Sequence, residues 1–221
     1  MAAQPVLVDH VVIVSLDVDD TCQRLFYATG LASIAGGVHE GLGTANRIVP
    51  LGTGYLEILA VDDATLAALN PFGQLALAGA ATARDSGLVE HLAAWSACVP
   101  SVERAAEATG GEVMALSRAG VSVRLTGIAE ATVNPSLPFM LQRAEGQVSP
   151  ESRNADHRVQ PTGVARLIAS SPTSNLWAEH LPLGATEFDV TTGDAALLSV
   201  EIAFADGTLT RLTAQSPTGE V

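Results

Sequence analysis

Four side chains stand where their types invite chemistry. His10 lies inside the apolar run Val6 to Ser15, and Glu57 lies between Leu56 and Ile58 in a second apolar run. A carboxylate in a half-buried strand is costly unless it is paired, bound to metal or turned toward a wet cavity. Arg47 is the candidate structural partner for Glu57. Imidazole and carboxylate are also good ligands for zinc, iron, manganese, nickel or cobalt, and two such groups on neighbouring strands of one face can converge on one ion. A bound ion would act as a Lewis acid on a carbonyl or enediolate, or bind dioxygen if it were iron. His39 and Asn46 flank Gly41 and Gly43, which admit unusual backbone angles and close approach of a ligand. His39 suits acid/base work or donation to a substrate, and Asn46 suits orienting that histidine or bonding the substrate, with Thr44 a weaker candidate. Each has a plainer reading. His10 can be a satisfied core imidazole sharing a face with Val8 and Val12, His39 an exposed loop residue, and Asn46 part of a turn.

The background composition narrows these options. Among 221 residues there are 11 cations against 24 acids, and every cation is arginine. Without lysine, Schiff-base chemistry, a lysine base and a P-loop are excluded. Proton chemistry must rest on His10, His39, Glu57, Tyr55 or a metal-bound water. An anionic substrate must be met by arginine or metal, with Arg47 and Arg166 the cations to inspect. A formal charge of −13 argues against nucleic-acid and anionic-membrane partners. No signal peptide is read at the N-terminus, and the uncharged stretch Ala64–Ala83 is broken by Asn70, Pro71, Gly73 and Gln74, which fits short soluble helices better than a membrane span. Cys22 and Cys98 form no metal or disulfide pattern, so a reducing, cytoplasmic location is expected. Gly41-Leu42-Gly43 lacks the remaining glycine of a dinucleotide fingerprint and leads into a strand, not a helix.

The elements that must position these residues repeat along the chain. The first unit, residues 6–61, reads as strand, helix and three strands. Asp17 or Asp19 caps the helix, Gly30 closes it, and Gly52-Thr53-Gly54 turns the last hairpin. A helical linker over 62–87 follows, with helices at Asp63–Leu69 and Pro71–Ala83. The same order restarts over 92–143, where Ser101 caps the helix and Gly110-Gly111 ends it. It restarts again over 163–214, with a helix at Thr173–Leu181. Residues 144–160 read as a polar surface connection, and His157 and His180 as surface or packing residues. One such unit leaves a sheet face bare, so three units imply one α+β domain whose curled mixed sheets surround a cavity.

Asp9-His10-Val11-Val12-Ile13 opening a βαβββ unit resembles the vicinal oxygen chelate superfamily. The string Gly36 to Asp63, GGVHEGLGTANRIVPLGTGYLEILAVDD, resembles its glyoxalase-like domain proteins. The resemblance implies repeated βαβββ modules, with metal ligands on the first and last strands of paired modules. It therefore places His10 and Glu57 at a divalent metal, with Gln142 and Glu201 as last-strand candidates in the second and third units. The first-strand positions there are Ala94 and Arg166, with His91 off register, so four ligands are not evident and the cavity can equally be metal-free. Gln142 can instead satisfy backbone groups at a strand end, and Glu201 can face water. Trp95 is read as core, with stacking on a ligand as the alternative. The implied function is a metal-assisted enzyme of isomerase, lyase or dioxygenase type acting on a small oxygenated molecule. The alternative is a metal-free protein that sequesters a small-molecule ligand. An open sheet edge makes a homodimer an expectation.

Overall fold

Strand β1 (Leu7–Ser15) is a run of β-branched residues, and all but Leu7 are buried. It stops where the Asp17 carboxylate accepts the Asp20 N–H at 3.0 Å and opens α1 (Val18–Thr29). Gly30 closes that helix at φ 78°, a left-handed angle that other residues adopt reluctantly. The computed structural model of the chain describes residues 6–118, 121–172 and 183–216.

The first module continues with β2 (Ile34–His39), β3 (Thr44–Pro50) and β4 (Tyr55–Val61). The linker forms α2 (Ala64–Ala67) and α3 (Pro71–Asp85), the latter capped by Asn70 with Pro71 in its first turn. The second module comprises β5 (Glu90–Cys98), α4 (Val102–Thr109), β6 (Met114–Arg118), β7 (Val121–Thr126) and β8 (Phe139–Arg143). A further short helix, α5 (Ile128–Val133), stands between β7 and β8, where the sequence reading places no element. Six residues with no side-chain cap carry little local signal, and α5 is held by packing against α3.

The two modules form one curled sheet of order β2-β3-β4-β1-β5-β8-β7-β6. Within each module the first and last strands pair in parallel, and β1 meets β5 antiparallel at the junction. Superposing the caps Asp17 and Ser101 puts Ala94 on His10 and Ser96 on Val12. The register then sets Val12 opposite Glu57 and Ser96 opposite Phe139. Phe139 is therefore the symmetry mate of Glu57, three residues before Gln142.

The third segment contributes β9 (Pro161–Ser171), β10 (Glu187–Thr192), β11 (Ala196–Phe204) and β12 (Leu209–Thr213) in the order β10-β9-β11-β12. A βαβββ module would set β9 beside β12, as β1 sits beside β4; here β9 lies between β10 and β11. This sheet does not line the cavity of the first two modules. Its Leu167, Val200, Ile202 and Leu212 share one core with Val11, Ile13, Leu56, Ile58 and Trp95 on the back of the large sheet. The opposite face, with Val12, Val14, Leu59 and Ala94, packs against Phe72, Leu75 and Ala76 of α3 and Ala131 of α5. The helix expected at Thr173–Leu181, with His180, lies outside the described residues. No helix among the described residues is long and apolar enough to cross a membrane.

Candidate functional site

A cavity of about 180 Å³ opens on the α3 side of the large sheet. The first module supplies His10, His39, Asn46, Tyr55 and Glu57. The second supplies Leu125, Phe139, Leu141 and Arg143, α3 adds Phe72, and the segment after β8 brings Val148, Pro150 and Arg153 to the rim.

Placement of His10 depends on an irregularity in β1. Simple alternation puts Val8 and His10 on one face. A bulge between Val8 and His10 breaks it, so Val8 joins the back core while His10 lines the cavity. Asp9, the bulged residue, bonds His10 Nδ1 at 2.7 Å. It also accepts Arg143 Nη2 at 2.6 and 2.8 Å and Nε at 3.2 Å. Burial pushes the Asp9 carboxyl up, but the His10 hydrogen bond and the Arg143 charge outweigh it and hold the group below its ordinary value. Burial likewise favours the neutral form of Arg143, and the Asp9 charge reverses that and raises it. Asp9 is therefore an anion whose partners are fixed: one guanidinium and one imidazole.

The His10 ring is clamped. Tyr55 stacks on it at 4.7 Å and 18°, and Phe139 meets it edge-on at 5.3 Å. With Nδ1 turned to Asp9, Nε2 points inward. It lies 3.4 Å from Glu57 Oε2, is buried, and has no hydrogen-bond partner. Glu57 is only 4% exposed. Its Oε1 accepts Asn46 Nδ2 at 2.5 Å and lies 3.9 Å from His39 Nε2. The Asn46 amide is oriented by Gly37, whose N–H donates to Oδ1 at 3.1 Å. Gly36 has to be glycine for this arrangement, because a Cβ there would collide with Asn46 Oδ1. His39 Nδ1 lies 2.8 Å from Thr44 Oγ1, and its Nε2 lies 3.3 Å from Asn46 Nδ2. If Nδ1–H donates to Thr44, Nε2 accepts from Asn46 and both bonds are satisfied. Tyr55 completes the wall. Burial, then the charges of Asp9 and Glu57, raise its hydroxyl well above the ordinary value, so it stays protonated.

His10, His39, Asn46 and Glu57 thus come together, with Thr44 behind His39. The other sequence candidates do not join them. Gln142 lies on the opposite face of β8 from Leu141 and Arg143, where its Oε1 accepts the Val102 N–H at 3.2 Å and caps α4. Glu201 sits in β11 of the second sheet, bonded by Arg211 at 3.0 Å, with Arg166 at 3.8 Å. Trp95 is fully buried on the back face, 5.1 Å from Phe188, and donates to the Ser136 carbonyl at 3.3 Å. Arg47 pairs with Asp19 at 2.8 Å, so Glu57 is not its partner. Sequence reasoning missed Arg143, Phe72 and Arg153, which line the cavity, and Asp9, which holds His10 and Arg143 in place. Asp9 carried a signal, an acid inside a β-branched run; the other three arrive through tertiary packing alone.

A protein-held metal does not fit this donor set. Such sites need about three protein ligands. His10, His39 and Glu57 approach one another, but Asn46 Nδ2 sits against both Glu57 Oε1 and His39 Nε2, and among the described residues no group of three His, Cys, Asp or Glu side chains is arranged to hold an ion. The positions that mirror His10 and Glu57 across the β1/β5 junction are Ala94 and Phe139, which cannot ligate, and Gln142 and Glu201 point elsewhere.

Residues 8–183 match the model of the glyoxalase-like domain family. The chain belongs to that family. It lies within the vicinal oxygen chelate superfamily, whose curled mixed sheet the large sheet reproduces. A hypothetical protein from Staphylococcus aureus is similar in structure at 16% identity, covering 94% of this chain and 98% of that one, with a TM-score of 0.65. Methylmalonyl-CoA epimerase from Mycobacterium tuberculosis matches at 13% identity over 65% of this chain and 91% of that one, TM-score 0.43. A single-residue variant of the Streptomyces coelicolor methylmalonyl-CoA epimerase, in complex with 2-nitronate-propionyl-CoA, matches at 15% identity over 64% and 99%, TM-score 0.46. A search of curated proteins found no match.

Proposed function

We propose that this glyoxalase-like protein is an enzyme that moves a proton on a small oxygenated organic molecule, by isomerase- or lyase-type chemistry, without a resident metal. The reading is carried by one observation. At the cavity floor a buried carboxylate faces a buried imidazole nitrogen that has no partner, at 3.4 Å. Glu57 Oε2 is the base that takes a proton from carbon beside a carbonyl. The Asn46 bond to Oε1 holds the carboxylate so that Oε2 is presented. His10 Nε2 delivers or receives the second proton, with Asp9 and Arg143 fixing its ring. The protonated Tyr55 hydroxyl is the donor available to the developing oxyanion. His39 and Asn46 orient the carboxylate from the other side. A dioxygenase reading loses support because the described residues offer no ligand set for iron. Two unpaired thiols, Cys22 and Cys98, agree with a reducing cytoplasmic setting.

The test is deuterium uptake into carbon in D2O, followed by NMR, over small ketones, aldehydes and their thiol adducts. The wild type accelerates exchange of at least one class, and Glu57→Gln loses about 10²–10⁴-fold of that rate, the usual contribution of a positioned base. A second reading, a metal-free protein that sequesters its ligand, draws on Ala94 and Phe139 standing where donors would be. Tight binding with no exchange would establish that reading and end the enzymatic one.

A further inference from the structure

The Glu57 carboxylate and two arginines line the cavity. Of the two arginines that line it, Arg143 is already neutralised by a bidentate bond to Asp9. Arg153 forms no ion pair among the described residues; its guanidinium donates to the Ala35 carbonyl of β2 at 3.1 Å. The two arginines that the sequence singled out for an anion are engaged elsewhere. Arg47 pairs with Asp19, and Arg166 pairs with Glu187 on the second sheet. In a chain with 24 acids and no lysine, an uncompensated guanidinium at a cavity rim is a selective feature.

The position of Arg153 gives it direction. It follows a short 3-10 turn, Pro150–Ser152, in the segment that brings Val148 and Pro150 to the same rim and packs on β3. The bond to Ala35 ties this segment to the first module and spends one donor. A guanidinium has four more, in a planar fork that matches a carboxylate. Glu57 and His10 lie buried at the floor, whereas Arg153 is exposed at the mouth. The floor handles a proton; the mouth offers a cation.

We infer that Arg153 is the anchor for a carboxylate at one end of the substrate, which sets that end at the rim and presents the carbonyl end to Glu57. The substrate class is then a small oxo-acid rather than a neutral ketone or aldehyde. This rests on the proton-transfer reading of the same cavity and adds the polarity of its ligand.

The experiment compares levulinate, a ketone bearing a carboxylate, with its uncharged methyl ester. Binding is measured by calorimetry and NMR titration, and deuterium exchange by NMR, on the full chain. Levulinate is expected to bind at least tenfold more tightly than the ester, and added salt should narrow the difference. Arg153→Gln should abolish the preference while leaving ester binding unchanged. Arg153→Lys should keep part of it, and Arg47→Gln, a cation outside the cavity, should keep all of it. Unchanged melting temperatures show that the variants are folded. Equal binding of acid and ester, no binding of either, or a preference that survives Arg153→Gln would overturn the anchor. Displacement of levulinate by equimolar inorganic phosphate would assign the rim to phosphate instead and overturn the carboxylate. The two readings fail separately. Ester exchange that depends on Glu57 with no acid preference ends the anchor alone. An acid preference lost in Arg153→Gln, with no exchange of either compound, supports the anchor and ends the base.

Discussion

Replacing Asp9 with asparagine keeps the shape of the side chain and removes its charge. Asp9 is 6% exposed, accepts three bonds from Arg143 and holds His10 Nδ1. The variant leaves the Arg143 guanidinium, whose side chain is 13% exposed, without a counterion. Breaking a buried pair on one side costs about 3–5 kcal/mol. For a chain of this length each kcal/mol lowers the melting temperature by roughly 2–4 °C, so a fall of about 10 °C is expected in a thermal melt. The acid limb should change as well. The folded-state value of Asp9 lies below its unfolded value. Its contribution is therefore complete above about pH 4 and is lost as pH falls through the lower folded value. Asp9→Asn should flatten that part of the stability profile. The variant should also free the His10 ring and slow deuterium exchange. Asp9→Leu with Arg143→Met should regain much of the stability, because no charge is stranded, and recover none of the rate. A loss under about 1 kcal/mol for Asp9→Asn, or full activity in the double variant, would refute the claim that this pair supports both the fold and the site.

Metal analysis of untagged protein should find clearly sub-stoichiometric zinc, iron, manganese, nickel and cobalt, and chelators should leave the exchange activity intact; one equivalent of any of them would overturn the ligand argument. His157 supplies a pH dependence of stability. Its Nδ1 accepts the Ala32 N–H at 2.9 Å, and burial lowers it, as burial alone lowers His91. Both groups bind a proton less readily when folded, so stability should be full above about pH 6.5 and decline as pH falls below it. His157→Gln should reduce that decline; an unchanged slope would remove His157 as its source.

The first two modules were legible because their grammar is local. Asp17 and Ser101 cap helices, Gly30 and Gly110 end them, and apolar alternation marks the strands. The third segment read alike, yet its strands pair differently. Strand order depends on which edges meet, and no local pattern encodes that. Trp95 in β5 and Gln142 in β8 illustrate the same limit at the level of the single strand. Alternation tells which residues share a face, but only the assembled sheet tells which face is the cavity.

Residue chemistry alone determined that any proton transfer here would fall to histidine, glutamate, tyrosine or a metal-bound water, and that any anion would meet arginine or a metal. It also determined that His10, His39, Asn46 and Glu57 belonged to one module. Tertiary structure decided what they became. The bulge at Asp9 turned His10 into the cavity. The register of β8 put Phe139, not a donor, opposite Glu57 across the junction. Arg143 and Arg153 arrived from far along the chain, one to neutralise Asp9 and one to stand at the rim. Such convergence depends on β-register and on which modules pair, and these are set by long-range packing rather than by neighbouring residues.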